Sequence, residues 1–449
     1  MRMRSGDALA SKTEPGPWKR IDTICCIFLM LAAVLVTVVH VPSHTQISPI
    51  DEFVYIDYLA KVPDQPFVAQ GEETGDFARR YFACAGVGGY FAPNKELCEG
   101  GDYSNDSEFP FGGKTSADIY TPAYFYVTWA LAQPLKMIGF DTVDAGRFTG
   151  SVWLTAALVA LFAAVRRLRV DRWINVSIGL FLAGSLPVYW SNTFISTDAT
   201  ALLAGAGLLW LGIRAVQTKS HVVALPVFAV LVTLMKLQNF MAVACVALFL
   251  LLAAIADVQK EKQRDTNSIR QWATHPLTQL GVATGILPLI AQALWTVYRS
   301  SQALSSTPDQ QVGQPMSMGA LMMDGLRFLP NVLSGAASPQ ELGTRAAIIA
   351  SLGTMLITAG VIALAVRGRK DEEGTLIAKA TVITSLVGAP ALAIASLLVS
   401  GVYFSMPARY ALSLVPFALA CVALLFNNTR YRWLLVAIGA GAFLVSLTI

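Results

Sequence analysis

The chain has 449 residues, 55% of them hydrophobic and only 14% charged, with a mean hydropathy of +0.55. A soluble domain carries about 25% charge, so an ordinary water-soluble globule is excluded. The formal net charge of +4 implies no nucleic-acid partner, because Lys and Arg cluster beside apolar runs, where orientation in a bilayer accounts for them.

Residues 1–20 form a polar, basic tail with Arg2, Arg4, Lys12, Lys19 and Arg20. The apolar run 21–41 follows without a small-residue cleavage site before Pro42, so it reads as a signal anchor rather than a cleaved signal peptide. Further apolar runs occupy 146–165, 173–191, 199–216, 221–236, 238–256, 276–298, 343–366, 379–400, 410–426 and 432–449. Each approaches the length that crosses about 30 Å of hydrocarbon. The expectation is an all-α polytopic membrane protein of about 11 transmembrane helices, a single domain over 21–449.

One further segment, Tyr120 to Phe140, is long enough to cross but contains Pro122, Pro134, Gln133 and Lys136. Positive charge decides its reading. If it stays on one side, Arg166, Arg167, Arg169, Arg172, Arg367, Arg369, Lys370, Arg430 and Arg432 all join the N-terminal tail inside, as the positive-inside bias favours. Residues 42–145 then form a large first extracytoplasmic loop with interfacial helices, and 299–342 a second. The charged stretch 257–276 reads as an inner connector.

Four cysteines (Cys25, Cys26, Cys245 and Cys421) lie in apolar runs and read as small fillers. Cys84 and Cys98 lie in the first loop and form a disulfide candidate if that loop faces an oxidising compartment. Zinc-ligand spacing is absent, and the four histidines do not cluster.

The conspicuous polar residues at span ends all fall on the outer side. Asp51 and Glu52 sit in Ser48-Pro49-Ile50-Asp51-Glu52, just beyond the first run. Asp198 ends the junction 191–198, Lys236 sits in Met235-Lys236-Leu237-Gln238, and Arg409 in Met406-Pro407-Ala408-Arg409-Tyr410. Charges at the edge of a bilayer are costly to keep without a purpose. A carboxylate serves as general base toward a hydroxyl; Lys and Arg hold a phosphate whose tail stays in lipid.

Each has a plainer reading. Ser48, Pro49 and Asp51 make a helix start, in which case Asp51 becomes a poorer base and Glu52 the better candidate. Asp198 caps a helix beginning at Ala199, Lys236 snorkels to the interface, and Arg409 flanks a span. Tyr120 and Tyr124, in the run 120–126, form an aromatic interfacial belt or a platform for a sugar ring. Their coincidence on one face carries the functional case.

The order of these features resembles the GT-C membrane glycosyltransferases, and in particular an uncharacterised family of bacterial membrane proteins. The resemblance covers most of the chain. It rests on Pro49-Ile50-Asp51-Glu52, on Tyr120-Thr121-Pro122-Ala123-Tyr124-Phe125 where such proteins have His-Pro-Pro-Leu-Tyr-Tyr, on Asp198, on Lys236, and on Ala408-Arg409-Tyr410 where Gly-Arg-Tyr is usual. Ile50 is an insertion relative to that pattern, Tyr55 stands where a histidine is common, and Thr121 replaces a proline.

The resemblance implies Asp51 as base on the acceptor hydroxyl, with Glu52 and Asp198 as supporting acids and room for a divalent cation. It implies that Lys236 and Arg409 bind the phosphate of a polyprenyl-phosphate sugar donor, beside Tyr410, Tyr120 and Tyr124. The acceptor is then an envelope glycan or lipid. The place is a bacterial inner (plasma) membrane, the N-terminus cytoplasmic and the active site extracytoplasmic. The alternative from another class is a transporter or flippase for a lipid-linked or anionic solute. That reading calls for polar residues near the bilayer midplane and paired halves.

Overall fold

The structure, a computed structural model, describes residues 18–219, 222–261, 268–306, 308, 313–335, 342–368, 372–427 and 430–449. Most of the N-terminal tail and parts of the connector 257–276 and of the loop 299–342 therefore lie outside the described residues. Among those described, helices and 3-10 turns make up the regular structure and there is no strand beyond isolated bridges. Eight helices are long and apolar enough to cross a membrane, and a ninth span results if the bent pair Arg172–Ala183 and Leu186–Asn192 is taken as one. The chain is thus built as a multi-pass membrane protein.

The expected count of eleven is not reached by length. The runs at 221–236 and 432–449 contain helices of only 12 and 15 residues, about 18 and 22 Å long at 1.5 Å per residue. The run at 173–191 bends by 59°. Pro187, at the start of its second half, donates no backbone hydrogen bond. Gly184 faces the helix Arg432–Ser446 so closely that a Cβ there would lie 2.6 Å from Phe443 Cα.

Segment 120–140 holds a 15-residue helix, Ala123–Met137, with Pro134 inside it. It packs on the first helix of the loop 42–145, Glu52–Lys61, through Tyr58 and Phe125 stacked at 3.8 Å. These two helices share a second apolar core with Phe53, Tyr55, Phe82, Phe109 and Trp153. It is separate from the large core of the spans. The loop 42–145 is tied internally by Arg79, which donates to Tyr103 O at 2.6 Å, Gly113 O at 3.0 Å and Asp106 Oδ1 at 2.7 Å. Cys84 and Cys98 are disulfide-bonded.

The described part of the segment 299–342 differs from a simple loop. Its helix Met318–Phe328 lies against the long helix Glu373–Ser400. A Cβ on Gly325 would sit 2.5 Å from Leu386 O, about 21 Å of helix rise below Ser400. The following turn, Pro330–Ser334, sets Leu333 against Gly353 and Gly353 against Phe181. Residues 318–335 are therefore sunk among the spans. Their sequence gives no warning, because 11 helical residues are too few to register as a membrane run.

Candidate functional site

The site begins where the first span ends. The chain leaves Arg20–His40 through a 3-10 turn and enters Glu52–Lys61 by way of Asp51, whose φ is +60° and ψ 5°. That left-handed conformation is uncommon for a residue with a Cβ, and Asp51 makes no side-chain cap to its helix. Its carboxylate instead accepts from Arg409 Nη2 at 2.9 Å.

Glu52, the next residue, points elsewhere. It is fully buried. Oε1 accepts from Arg147 Nε and from Ile195 N, both at 2.9 Å. Oε2 accepts from Arg147 Nη2 at 2.9 Å and Ser48 N at 2.8 Å. Arg147 also donates to His44 O at 3.2 Å and Gln46 O at 3.0 Å. The pair welds residues 44–48 and 193–195 together, and leaves Glu52 no lone pair for a proton. Asp51 does not cap its helix, so the condition under which Glu52 is the better base is not met, and Glu52 lies buried in an ion pair with Arg147.

Asp198 precedes the helix Ala199–Thr218 without capping it. One of its oxygens accepts from Lys236 Nζ, and the other lies 3.7 Å from Arg409 Nη1. Lys236 occupies an extended break (φ −157°, ψ 124°) between Ala224–Met235 and the turn Leu237–Asn239. Its side chain is 1% exposed, so it does not snorkel. Arg409 enters from the 3-10 turn Ala408–Leu414. Four charges from four distant stretches thus alternate as Asp51, Arg409, Asp198, Lys236, and sum to zero. Asp51 is the most open of them, its side chain 31% exposed.

Tyrosines enclose the cations. Lys236 Nζ lies 6.0 Å from the Tyr120 ring centroid and 5.8 Å from that of Tyr410, and the Arg409 guanidinium 5.6 Å from Tyr410, within cation–π range. Tyr55 OH donates to Tyr120 OH at 3.1 Å, and Thr197 Oγ1 reaches Tyr55 OH at 3.4 Å. Burial pushes both the Tyr55 and the Tyr120 hydroxyl well above the usual range, so both stay protonated and act only as neutral hydrogen-bonding groups. Tyr124 stands behind the site, its OH accepting from Ser196 N at 3.1 Å. It supports the 193–198 turn and does not line the charge cluster.

Beside Asp198 a small crevice of about 10 Å³, room for about one water molecule, is lined by residues that include Ile50, Trp190, Val332 and Leu412. A divalent cation does not fit the residues present. Among the described residues no three His, Cys, Asp or Glu side chains converge, and both open carboxylates are already held by Arg409 and Lys236.

No protein-family profile and no curated protein matches the chain. Among solved structures it is similar to an oligosaccharyltransferase of Archaeoglobus fulgidus, crystallised with zinc and sulfate. The identity is 13% over 94% of this chain and 52% of that one, with a TM-score of 0.48. The chain spans about half the length of that protein.

Arg147, Tyr55 and Thr197 belong to the site's frame although sequence reasoning gave them no role. A signal for Arg147 existed: a single cation at the head of the apolar run 146–165 has to find a partner.

Proposed function

We propose that the chain is an integral membrane glycosyltransferase that moves a sugar from a polyprenyl-phosphate donor to an acceptor outside the cytoplasm, with Asp51 as general base. The observation that carries the reading is Arg409. Its Nη1 is buried, faces Asp198 only at ion-pair range, 3.7 Å, and has no acceptor at hydrogen-bond distance among the described residues, while its Nη2 holds Asp51. A buried guanidinium nitrogen lacking an acceptor is costly, and a phosphate oxygen supplies one in the bidentate geometry that Arg favours.

The chemistry follows from that exchange. Donor phosphate takes Arg409 and lies beside Lys236, in competition with Asp51 for the guanidinium. Asp51, released and partly exposed, accepts the proton of the acceptor hydroxyl. The acceptor oxygen forms its bond to the anomeric carbon as the bond to the phosphate oxygen breaks, and the departing phosphate keeps the electron pair. Arg409 and Lys236 stabilise that developing charge. Asp198 holds Lys236 in place. A single displacement of this kind inverts the anomeric centre.

The positive-inside bias supports an extracytoplasmic position for the cluster; on this reading the membrane is the plasma membrane and the acceptor an envelope glycan or lipid. The cluster stands at the ends of Ala199–Thr218 and Ala224–Met235, whereas a transporter concentrates its polar groups near the midplane. Purified protein given a pool of polyprenyl-phosphate sugars is expected to release sugar. Asp51→Asn should lower the rate by about 10²–10⁴-fold with the fold intact. Equal rates for the two proteins would remove Asp51 from the role of base. Release from no donor by folded protein would turn the reading toward transport.

A further inference from the structure

We infer that Asp324 is a positioning residue for Arg409, acting through Tyr403 and Ser405; this rests on the reading of Arg409 as the ligand of the donor phosphate. Arg409 is delivered by residues 401–407, which join Glu373–Ser400 to the turn Ala408–Leu414 in an extended path without helical structure. Gly401, at φ +72°, ends the helix and turns the chain into that path. An extended connector needs outside contacts to fix where its end points.

Asp324 supplies them from the sunken helix Met318–Phe328. It is 6% exposed and accepts from Tyr403 OH at 2.9 Å and from Ser405 Oγ. A third tie comes from the same outer segment, where Gln314 N donates to Tyr403 O at 2.8 Å. Residue 325 beside it is glycine, seated on the backbone of Glu373–Ser400 at Leu386. That contact sets the depth of Asp324 in the bundle.

The choice of residue is informative. Burying a carboxylate against hydroxyls, with no cation among its partners in the described residues, is unfavourable, and an apolar side chain of similar volume is often the more stabilising occupant. The carboxylate is the one group that takes two hydroxyl protons at once from Tyr403 and Ser405, whose separation along the chain sets the slope of the connector. Arg409 then meets Asp51 and Asp198 together, as it must in order to hand Asp51 over when phosphate arrives.

Two measurements on the full chain in detergent test this. One is the affinity for a long-chain polyprenyl phosphate, and the other the rate at which phenylglyoxal modifies Arg409, read by peptide mass. Asp324→Ala, and the pair Tyr403→Phe with Ser405→Ala, should weaken the phosphate lipid by about tenfold, the scale of lost outer support around a binding group, and speed the modification. Asp324→Asn should recover most of both, since its carbonyl still serves Tyr403 and its amide meets a turned Ser405 hydroxyl. A merely structural role would lower the unfolding temperature without moving either number in the folded fraction. Wild-type affinity and wild-type modification rate in folded Asp324→Ala would overturn the inference. Absence of phosphate-lipid binding by the wild type would instead overturn the reading of Arg409, and the modification rates would still decide whether Asp324 positions it.

Discussion

Arg147 and Glu52 are both without solvent contact, and together they fill nearly every hydrogen-bonding position either offers. Breaking such a pair from one side leaves a buried charge without its partner, at a cost of about 3–5 kcal/mol. Arg147→Met is therefore expected to unfold well below the wild type in a thermal melt in detergent. Glu52→Gln with Arg147→Met should recover part of the loss, because no net charge then stays buried. A single variant as stable as the wild type would mean that the weld between residues 44–48 and 193–195 is held by other contacts.

His44 belongs to the same corner and gives it a pH signature. Thr193 Oγ1 donates to Tyr189 O at 2.6 Å, so it accepts from His44 Nε2 at 2.8 Å. The imidazole stacks on Phe194 at 3.8 Å. Burial first, and then the Arg147 charge, pull its pKa down to about 3 from the ordinary 6.5. A depressed pKa means that the unfolded chain takes up a proton that the folded chain refuses, so the stabilisation is complete above about pH 6.5 and is lost as pH falls toward 3. The unfolding temperature should fall between pH 7 and 5, before most carboxylates titrate, and His44→Gln should flatten that fall. An equal slope in the variant would place the proton uptake elsewhere.

At the scale of elements, what could be read in the sequence is what carries a strong, local signal. Asp51, Asp198, Lys236 and Arg409 stand out because charge beside apolar runs is rare, and the structure brings these four together. Which of two adjacent carboxylates faces the cluster could not be read, because it depends on the +60° φ of Asp51 and on Arg147, 95 residues away from Glu52. Tyr124 looked like part of a platform by its neighbours in sequence, yet helical geometry turns it toward Ser196. The bend at residues 184–186 and the sunken helix Met318–Phe328 escaped because hydropathy measures length and polarity along the chain. Neither quantity registers a break inside an apolar run or a short helix inserted from outside. Asp324 gives no signal for the same reason: a lone acid in a loop between apolar runs ordinarily belongs to water.

For the molecule as a whole, everything proposed depends on Asp51, Asp198, Lys236 and Arg409 sharing the extracytoplasmic face. Packing brings their side chains together but does not say which side of a bilayer they occupy. Basic residues argue that point. At the end opposite the cluster, Arg166 and Arg172 close on the buried Asp22 at 3.0 and 2.6 Å, so the foot of the first span and the turn around residue 170 lie at one membrane surface. Arg167 and Arg169 lie in the same turn, and Asn427, three residues before Arg430, is bonded to Arg169 O and Asp171 N; such a concentration of positive charge belongs inside. A cysteine placed in Asp171–Trp173 of a chain without other accessible thiols should therefore react with a membrane-impermeant maleimide only after the cytoplasmic side is opened. One placed at exposed Tyr90 should react from outside in intact cells. Labelling in the reverse sense would put the cluster in the cytoplasm, where donors carried by a soluble nucleotide become the natural partners of Arg409 and Lys236, and the lipid-linked donor would lose its main support.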